Sequence, residues 1–145
     1  MPKWTSAPPR LYSIVTGFFP EAQPKPNWAD NPRPLLVTGV YRNKTTGELW
    51  VRAAYGTGEV GKVRGTCLNI GNLSHLNRLN LPKPTAFVLT PGDQHAIMPW
   101  TEEHFAPWRQ FATPVISQLP LEMQEYVQRV LSRTGNLHFP PRPAP

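Results

Sequence analysis

Two short segments combine residue types with backbone settings that suit phosphate chemistry. Arg33 stands between prolines in "NPRPLLV" (31–37), and Thr57 stands between glycines in "AYGTGE" (54–59). An arginine fork stabilises the charged oxygens of a phosphate. A hydroxyl flanked by glycines, which let another backbone approach closely, can bind a second oxygen. Both segments also have a purely structural interpretation, as the end of a loop and as a turn.

We find no sequence pattern typical of other common catalytic chemistries. The four histidines have no paired spacing with Asp, Glu or Cys, so we expect no metal site. The glycines after Tyr55 lack the Lys-Ser/Thr ending of a triphosphate-binding loop, and no Gly-x-Ser-x-Gly segment is present. The single cysteine, Cys67, has no helix start to activate it and is interpreted as a buried apolar residue. We therefore expect no cofactor.

Metal-free cleavage of RNA needs neither a metal nor a nucleophile from the protein. The 2′-hydroxyl of the RNA attacks its own phosphodiester, so the enzyme must chiefly stabilise charge on the phosphoryl oxygens. Arg33 and Thr57 are suited to that task.

The charge of the chain favours a polyanionic partner. The 145 residues include 15 Lys and Arg against nine Asp and Glu, a formal net charge of +6. Residues 1–85 hold eleven of these cations and four of the acids, so the basic character belongs to the first part of the chain. A generic basic surface is the plainer interpretation. No apolar run approaches the roughly 18 residues of a membrane span, and no signal peptide is recognised. We expect a cytoplasmic protein without membrane contact.

Short strands are predicted to position these residues. Apolar, β-branched and aromatic segments broken by Gly and Pro predict strands. They lie within 11–19, 35–41, 49–55, 61–70, 85–90 and 95–100. Residues 35–55 form a hairpin candidate in which Gly47 is available for a positive φ. The polar segment 71–84 is predicted to be a bend. This pattern favours a mainly β (α+β) fold, a small barrel or strongly bent sheet.

One convincing helix is predicted near the C-terminus. It begins after Pro120, which suits a first helical turn, and Gly135 offers a stop. Its apolar positions recur at helical spacing on one stripe. A shorter helical turn is predicted at Thr101. The expected organisation is an extended arm (1–10), one barrel domain with its helix (11–135) and a proline-rich tail (136–145).

An ordered series of segments resembles the MazF/PemK toxin family, in particular a divergent branch usually called PemK-like. "NPRPLLVTGVY" resembles the Arg-Pro-x-Leu-Val segment of that family, and "WVRAAYGTGE" looks like the strand that follows it. "FFP", "LNIGN", "KPTAFVL" and "MPWTEEHF" fit the family's order over about 11–105. The family's usual opening, Gly-Asp/Glu before the first strand, is absent.

The resemblance implies an SH3-like barrel of short antiparallel strands with a C-terminal helix, and a metal-independent endoribonuclease that cleaves single-stranded RNA. By that resemblance Arg33 is the phosphate-stabilising arginine and Thr57 the hydroxyl beside it, both catalytic. A homodimer and a cognate antitoxin that occupies the RNA groove are also implied. No residue presents itself clearly as general base or acid, and Glu59, Arg52 and Arg64 are candidates only by their proximity to Thr57 in sequence. The predicted RNA-binding residues are Arg52, Glu59, Lys62, Arg64 and Trp28.

Two alternatives remain open at this point. The barrel could be catalytically inactive and act as a nucleic-acid-binding or protein-inhibiting module, perhaps encoded by a phage or mobile element. Aromatic residues such as Trp28, Trp50 or Tyr41 would then stack bases without cutting the strand. In the third interpretation the proline-rich ends "APPR" and "FPPRPAP" dock onto aromatic grooves of a partner.

Overall fold

The hairpin predicted from residues 35–55 is the centre of the fold. In the computed structural model, which describes residues 8–19, 32–58, 66–90 and 95–134, its two strands are long and antiparallel. Gly47 in the connecting turn has a φ of 76°, the left-handed conformation that glycine adopts without strain. The described residues form these elements in chain order: β1 Ser13–Gly17, β2 Arg33–Arg42, β3 Leu49–Thr57, β4 Cys67–Ile70, α1 Leu73–Arg78, β5 Thr85–Val88, β6 His95–Pro99, β7 Val115–Gln118 and α2 Leu121–Thr134.

The strands form one curled antiparallel sheet, a barrel-like fold with a C-terminal helix, as the sequence predicted. The order across the sheet is β4-β5-β3-β2-β1-β7, and β6 pairs with β3 beside β5. The strand β3 is shared: residues 50–54 pair with β6, and Gly56 and Thr57 pair with β5. The sheet therefore turns a corner at Gly56.

Both faces of the central strands are covered by apolar side chains. One cluster packs Ile14, Leu36, Ala54 and Phe87 against helix α2. The second cluster lies on the other face, around residues such as Leu35, Val37 and Phe105. Successive side chains of a strand point to opposite faces, so neighbouring residues of β2 belong to different clusters.

A β-bulge in β2 changes which side chains share a face. The pairing Val37↔Ala53 is followed by Gly39↔Arg52, so Thr38 is an extra residue in this strand. Beyond the bulge, Val40 pairs with Val51 and joins the second cluster. Tyr41, which simple alternation would place with Val37, lies on the opposite face.

The helices were predicted in part. Helix α2 matches the predicted one, with Val127, Val130 and Leu131 buried on its apolar stripe. The polar bend predicted over 71–84 is wrong in its first half, because α1 forms there. Asn72 caps this helix by accepting from the backbone N–H groups of Ser74 and His75. Within the described ranges, neither helix is long and apolar enough to cross a membrane.

Candidate functional site

The register of the hairpin brings Arg33 and Thr57 to neighbouring positions. Leu35 pairs with Tyr55, and the same antiparallel register continued by two residues sets Arg33 across from Thr57. The strands are still in contact there, since a Cβ on Gly56 would lie 2.5 Å from the carbonyl oxygen of Pro34. Opposed residues of an antiparallel pair share a face of the sheet. The two predicted catalytic residues thus lie side by side on one face.

The start of β2 is fixed from three sides, which positions Arg33. The indole Nε1 of Trp108 donates a hydrogen bond of 2.9 Å to the carbonyl of Pro32. Arg33 itself pairs with Gly17 of β1. A Cβ on Gly17 would lie 2.7 Å from the ring of Phe105, so only glycine lets that segment pack so closely. Proline on both sides further restricts the backbone of Arg33.

Arg33 is half-buried, and its side chain makes no hydrogen bond or ion pair to another residue of the described ranges. Such an arginine is well suited to bind a phosphate, because the five donors of its guanidinium match phosphate oxygens in pairs.

A lysine that the sequence did not single out joins the corner at Thr57. Thr57 pairs with Ala86 at the start of β5, and the turn before β5 carries Lys83. A Cβ on Gly58 would lie 2.7 Å from the ammonium Nζ of Lys83. The lysine side chain therefore lies along the bare backbone of Gly58. The ammonium of Lys83 therefore lies at the corner of the sheet where β3 ends, beside the residue that follows Thr57.

Arg52 is not brought to this corner. It is five residues from Thr57 along β3 and so lies on the opposite face. Only 7% of its surface is exposed. Its Nε and Nη2 donate to the side chain and the carbonyl of Thr38, at 3.1 and 3.0 Å. These bonds hold the bulge of β2 against β3, so Arg52 has a structural role. Its predicted contact with RNA stays a prediction.

The other predicted RNA-binding residues, Trp28, Glu59, Lys62 and Arg64, lie outside the described ranges. The same holds for most of the predicted N-terminal arm and all of the proline-rich tail. Their predicted roles stay predictions.

A half-buried histidine lies on the same face as Arg52. His95 pairs with Ala54, and its Nδ1 lies 3.4 Å from the carbonyl of Thr90. The pKa of His95 is lowered from 6.5 to about 4, chiefly because the ring is withdrawn from water; the hydrogen bond to Thr90 opposes the change, and the charge of Arg52 adds to it. The ring is neutral near pH 7. Among the described residues, no three His, Cys, Asp or Glu side chains gather as a metal site requires.

Two contributors to the candidate site, Lys83 and Trp108, were missed by sequence reasoning. Lys83 lies beside Gly58, which is 25 residues earlier in the sequence, and Trp108 contacts Pro32, which is 76 residues earlier. The one signal in the sequence was the position of Lys83 directly before Pro84, at the start of a predicted strand. Nothing in the local pattern says which strand end that turn will meet.

Comparison with known proteins adds no family to this geometry. No protein-family model matches this sequence, and no curated protein matches it.

Proposed function

We propose that this protein is a metal-independent endoribonuclease that cleaves single-stranded RNA, as the resemblance to PemK-like toxins implies. The observation that carries the proposal is the side-by-side placement of Arg33 and Thr57 with the ammonium of Lys83 at the same corner. Each of the three groups donates hydrogen bonds that an anionic phosphate accepts.

The proposed reaction is an internal transesterification. The 2′-oxygen of one nucleotide forms a bond to the adjacent phosphorus, and the bond from phosphorus to the 5′-oxygen of the next nucleotide breaks. One proton leaves the 2′-hydroxyl and one is given to the departing 5′-oxygen, so charge and atoms balance. The products are a 2′,3′-cyclic phosphate and a 5′-hydroxyl. Arg33 and Lys83 stabilise the negative charge that builds on the phosphoryl oxygens, and Thr57 donates to one of them.

The proton-transfer groups are assigned to no residue. Glu59 and Arg64 follow Thr57 closely in sequence and are the first to test.

The decisive experiment is cleavage of a mixed-sequence single-stranded RNA in the presence of EDTA. The native protein is compared with Arg33→Ala and Thr57→Val, and the product ends are identified. We expect 2′,3′-cyclic phosphate ends from the native protein. Loss of one such donor reduces kcat by about 10²- to 10³-fold in other oxyanion sites, and a similar loss is expected for Arg33→Ala.

Arg129→Ala is the matched control, since it removes an exposed arginine from α2, a helix that takes no part in this corner. It should cut as the native protein does. Cutting that persists unchanged in Arg33→Ala would come from elsewhere and would defeat the proposal. Absence of cutting by a folded native protein on varied RNA would defeat it too.

The remaining proposals follow from the resemblance alone. We propose a cytoplasmic homodimer and a cognate antitoxin protein that occupies the RNA groove. An antitoxin would be identified as a partner that copurifies with the chain and abolishes cutting, and that releases when Arg33 and Lys83 are replaced.

A further inference from the structure

A second surface with recognisable chemistry lies on the hairpin face opposite to Arg33 and Thr57. On this face the strands β2, β3 and β6 place their side chains in rows across the sheet. One row is Gly39, Arg52 and Ile97, and the next is Tyr41, Trp50 and Pro99. We call Tyr41, Trp50, Ile97 and Pro99 the aromatic face. All four are at least partly exposed, with Ile97 at 37%.

The ring of Tyr41 packs over Gly39, which has no side chain to occupy that space. A Cβ on Gly39 would clash with the phenol oxygen of Tyr41 and would lie 2.7 Å from its Cε2 and Cζ. The ring thus leans back along its own strand into the space above Gly39. Burial raises the pKa of Tyr41, and the charge of Arg52 across the strands opposes that change. A neutral phenol ring beside a guanidinium is the result at neutral pH.

The ring of Trp50 is also held in place. Its indole Nε1 donates a hydrogen bond of 2.6 Å to the carboxylate of Glu48 two residues earlier. Trp50 pairs directly with Tyr41 on one side and with Pro99 on the other. Directly opposed side chains on adjacent strands have Cβ atoms about 5 Å apart, so both rings start from one row of the face. The Tyr41 ring leans towards Gly39 and the Trp50 ring towards Glu48. Two fixed, part-exposed rings on one face offer two places where flat groups can stack.

Charge near the aromatic face favours an anionic strand over an apolar protein surface. The hairpin from Arg33 to Thr57 contains four cations and one acid, Glu48. Alternation places two of the cations, Arg33 and Arg42, on the opposite face of the sheet. Arg52 lies in the row beneath the rings, and Lys44 is exposed in the adjoining turn. The carboxylate of Glu48 accepts the hydrogen bond from the indole of Trp50. Ile97 is the one exposed aliphatic side chain of the face, which is little for a protein interface.

We infer that the aromatic face binds single-stranded RNA by stacking bases on Tyr41 and Trp50, independently of the cleavage corner. Stacking is sequence-tolerant because every base has a flat π face, and nearby cations follow the phosphate backbone. That the strand is RNA rests on the proposed function; the stacking itself rests on the geometry of the two rings.

The test measures binding with an RNA that cannot be cut, so that its failure is separate from a failure of cleavage. A fluorescein-labelled 2′-O-methyl oligonucleotide of mixed sequence is titrated with the full chain, and Kd is read from fluorescence anisotropy. Replacing a stacking ring by alanine costs about 5- to 150-fold in Kd in other single-strand binders. We expect a loss in this range for Trp50→Ala and for Tyr41→Ala. Trp50→Phe and Tyr41→Phe keep a ring and should bind within about threefold of the native protein.

Two controls separate stacking from folding. Phe111→Ala removes a partly buried aromatic residue that packs beside Trp108, away from the face, and should leave Kd unchanged. Ile97→Glu and Ile97→Lys place opposite charges at one exposed position without touching the rings. The glutamate should weaken binding and the lysine should strengthen it.

Equal binding by the native protein, Trp50→Ala and Tyr41→Ala would overturn the inference. So would no detectable binding by the native protein at micromolar concentration and low salt. A DNA oligonucleotide of the same sequence that binds at least tenfold more tightly than the RNA would overturn the assignment to RNA.

Discussion

Replacing Gly56 by alanine should loosen the junction on which the candidate active site depends. The new Cβ would lie 2.5 Å from the carbonyl oxygen of Pro34 and 2.7 Å from the ring of Phe87. Carbon and oxygen atoms normally approach to about 3.3 Å, so β2 and β3 must separate by roughly 0.8 Å at this point. Backbone lies on one side and a buried ring on the other, and neither yields easily.

The expected cost follows from overpacking. Forcing an extra methyl group into a packed site costs about 1–3 kcal/mol, and contact with two rigid neighbours favours the upper half of that range. We expect the free energy of unfolding of Gly56→Ala, measured by urea denaturation, to fall by about 2–3 kcal/mol. Activity should fall as well, because Arg33 and Thr57 no longer face each other at the native separation.

Gly58→Ala is the matched comparison two residues away. Its Cβ would meet only the end of the flexible Lys83 side chain, which can swing into solvent. Stability should stay within about 0.5 kcal/mol of the native value, as for other surface substitutions. Cleavage should nevertheless decrease, since the ammonium of Lys83 is displaced from the corner. Full stability of Gly56→Ala would refute the close contact of the two strands, and with it the pairing of Arg33 with Thr57.

Three further outcomes are expected. Lys83→Ala should weaken binding of uncleavable single-stranded RNA, measured by fluorescence anisotropy between 50 and 200 mM salt. The slope of the logarithm of the binding constant against the logarithm of the salt concentration should fall in magnitude by about 0.7, the value for one lost phosphate contact. The pKa of His95 is lowered from 6.5 to about 4, so the unfolded chain takes up a proton there before the native one does. Stability from this residue is full above pH 6.5 and is lost as pH falls towards 4, by ~3 kcal/mol at about 1.36 kcal/mol per pH unit. Urea denaturation at pH 7, 5 and 4 should show a shallower decline for His95→Gln. Thr38→Val removes the acceptor of the Arg52 Nε bond and should lower the free energy of unfolding by about 1–3 kcal/mol in the same assay, with Thr38→Ser close to native.

Local signals predicted the central part of the fold well. The hairpin could be predicted because two alternating apolar segments flank a turn with a glycine, and α2 because its apolar residues recur every three to four positions. Strand β7 has only four residues, and its regular structure depends on pairing with β1, a contact more than 100 residues apart in sequence. Helix α1 has six residues and a clear Asn72 cap, but its polar composition resembles that of a loop.

The candidate site was predicted to the extent that it is local. Arg33 and Thr57 approach because the hairpin register, shifted by one residue at Thr38, sets them across from each other. The hairpin was predicted from the sequence, but the bulge that sets this register was not. Lys83 and Trp108 arrive from other parts of the chain, and their positions depend on how the sheet curls. Arg52 was predicted to bind RNA because it is close to Thr57 in the sequence. Distance along a strand does not decide which face a side chain occupies, whereas the parity of the separation does.

The bulge at Thr38 decides which side chains of β2 share a face with Arg33 and which share a face with Trp50. Because side chains alternate with a period of two, one extra residue reverses the face of every position beyond it. Without Thr38, Tyr41 would share a face with Leu35 and Val37 and would compete for space with the buried cluster around Phe105. With it, Tyr41 lies beside Trp50 and above Arg52, and Arg52 in turn binds the bulged residue through both its side chain and its carbonyl. A buried guanidinium needs such acceptors, and the extra residue of a bulge has a carbonyl that the regular ladder leaves unpaired. The arginine and the bulge therefore stabilise each other. Their joint effect is to leave Arg33 on one face of the hairpin and the rings of Tyr41 and Trp50 on the other.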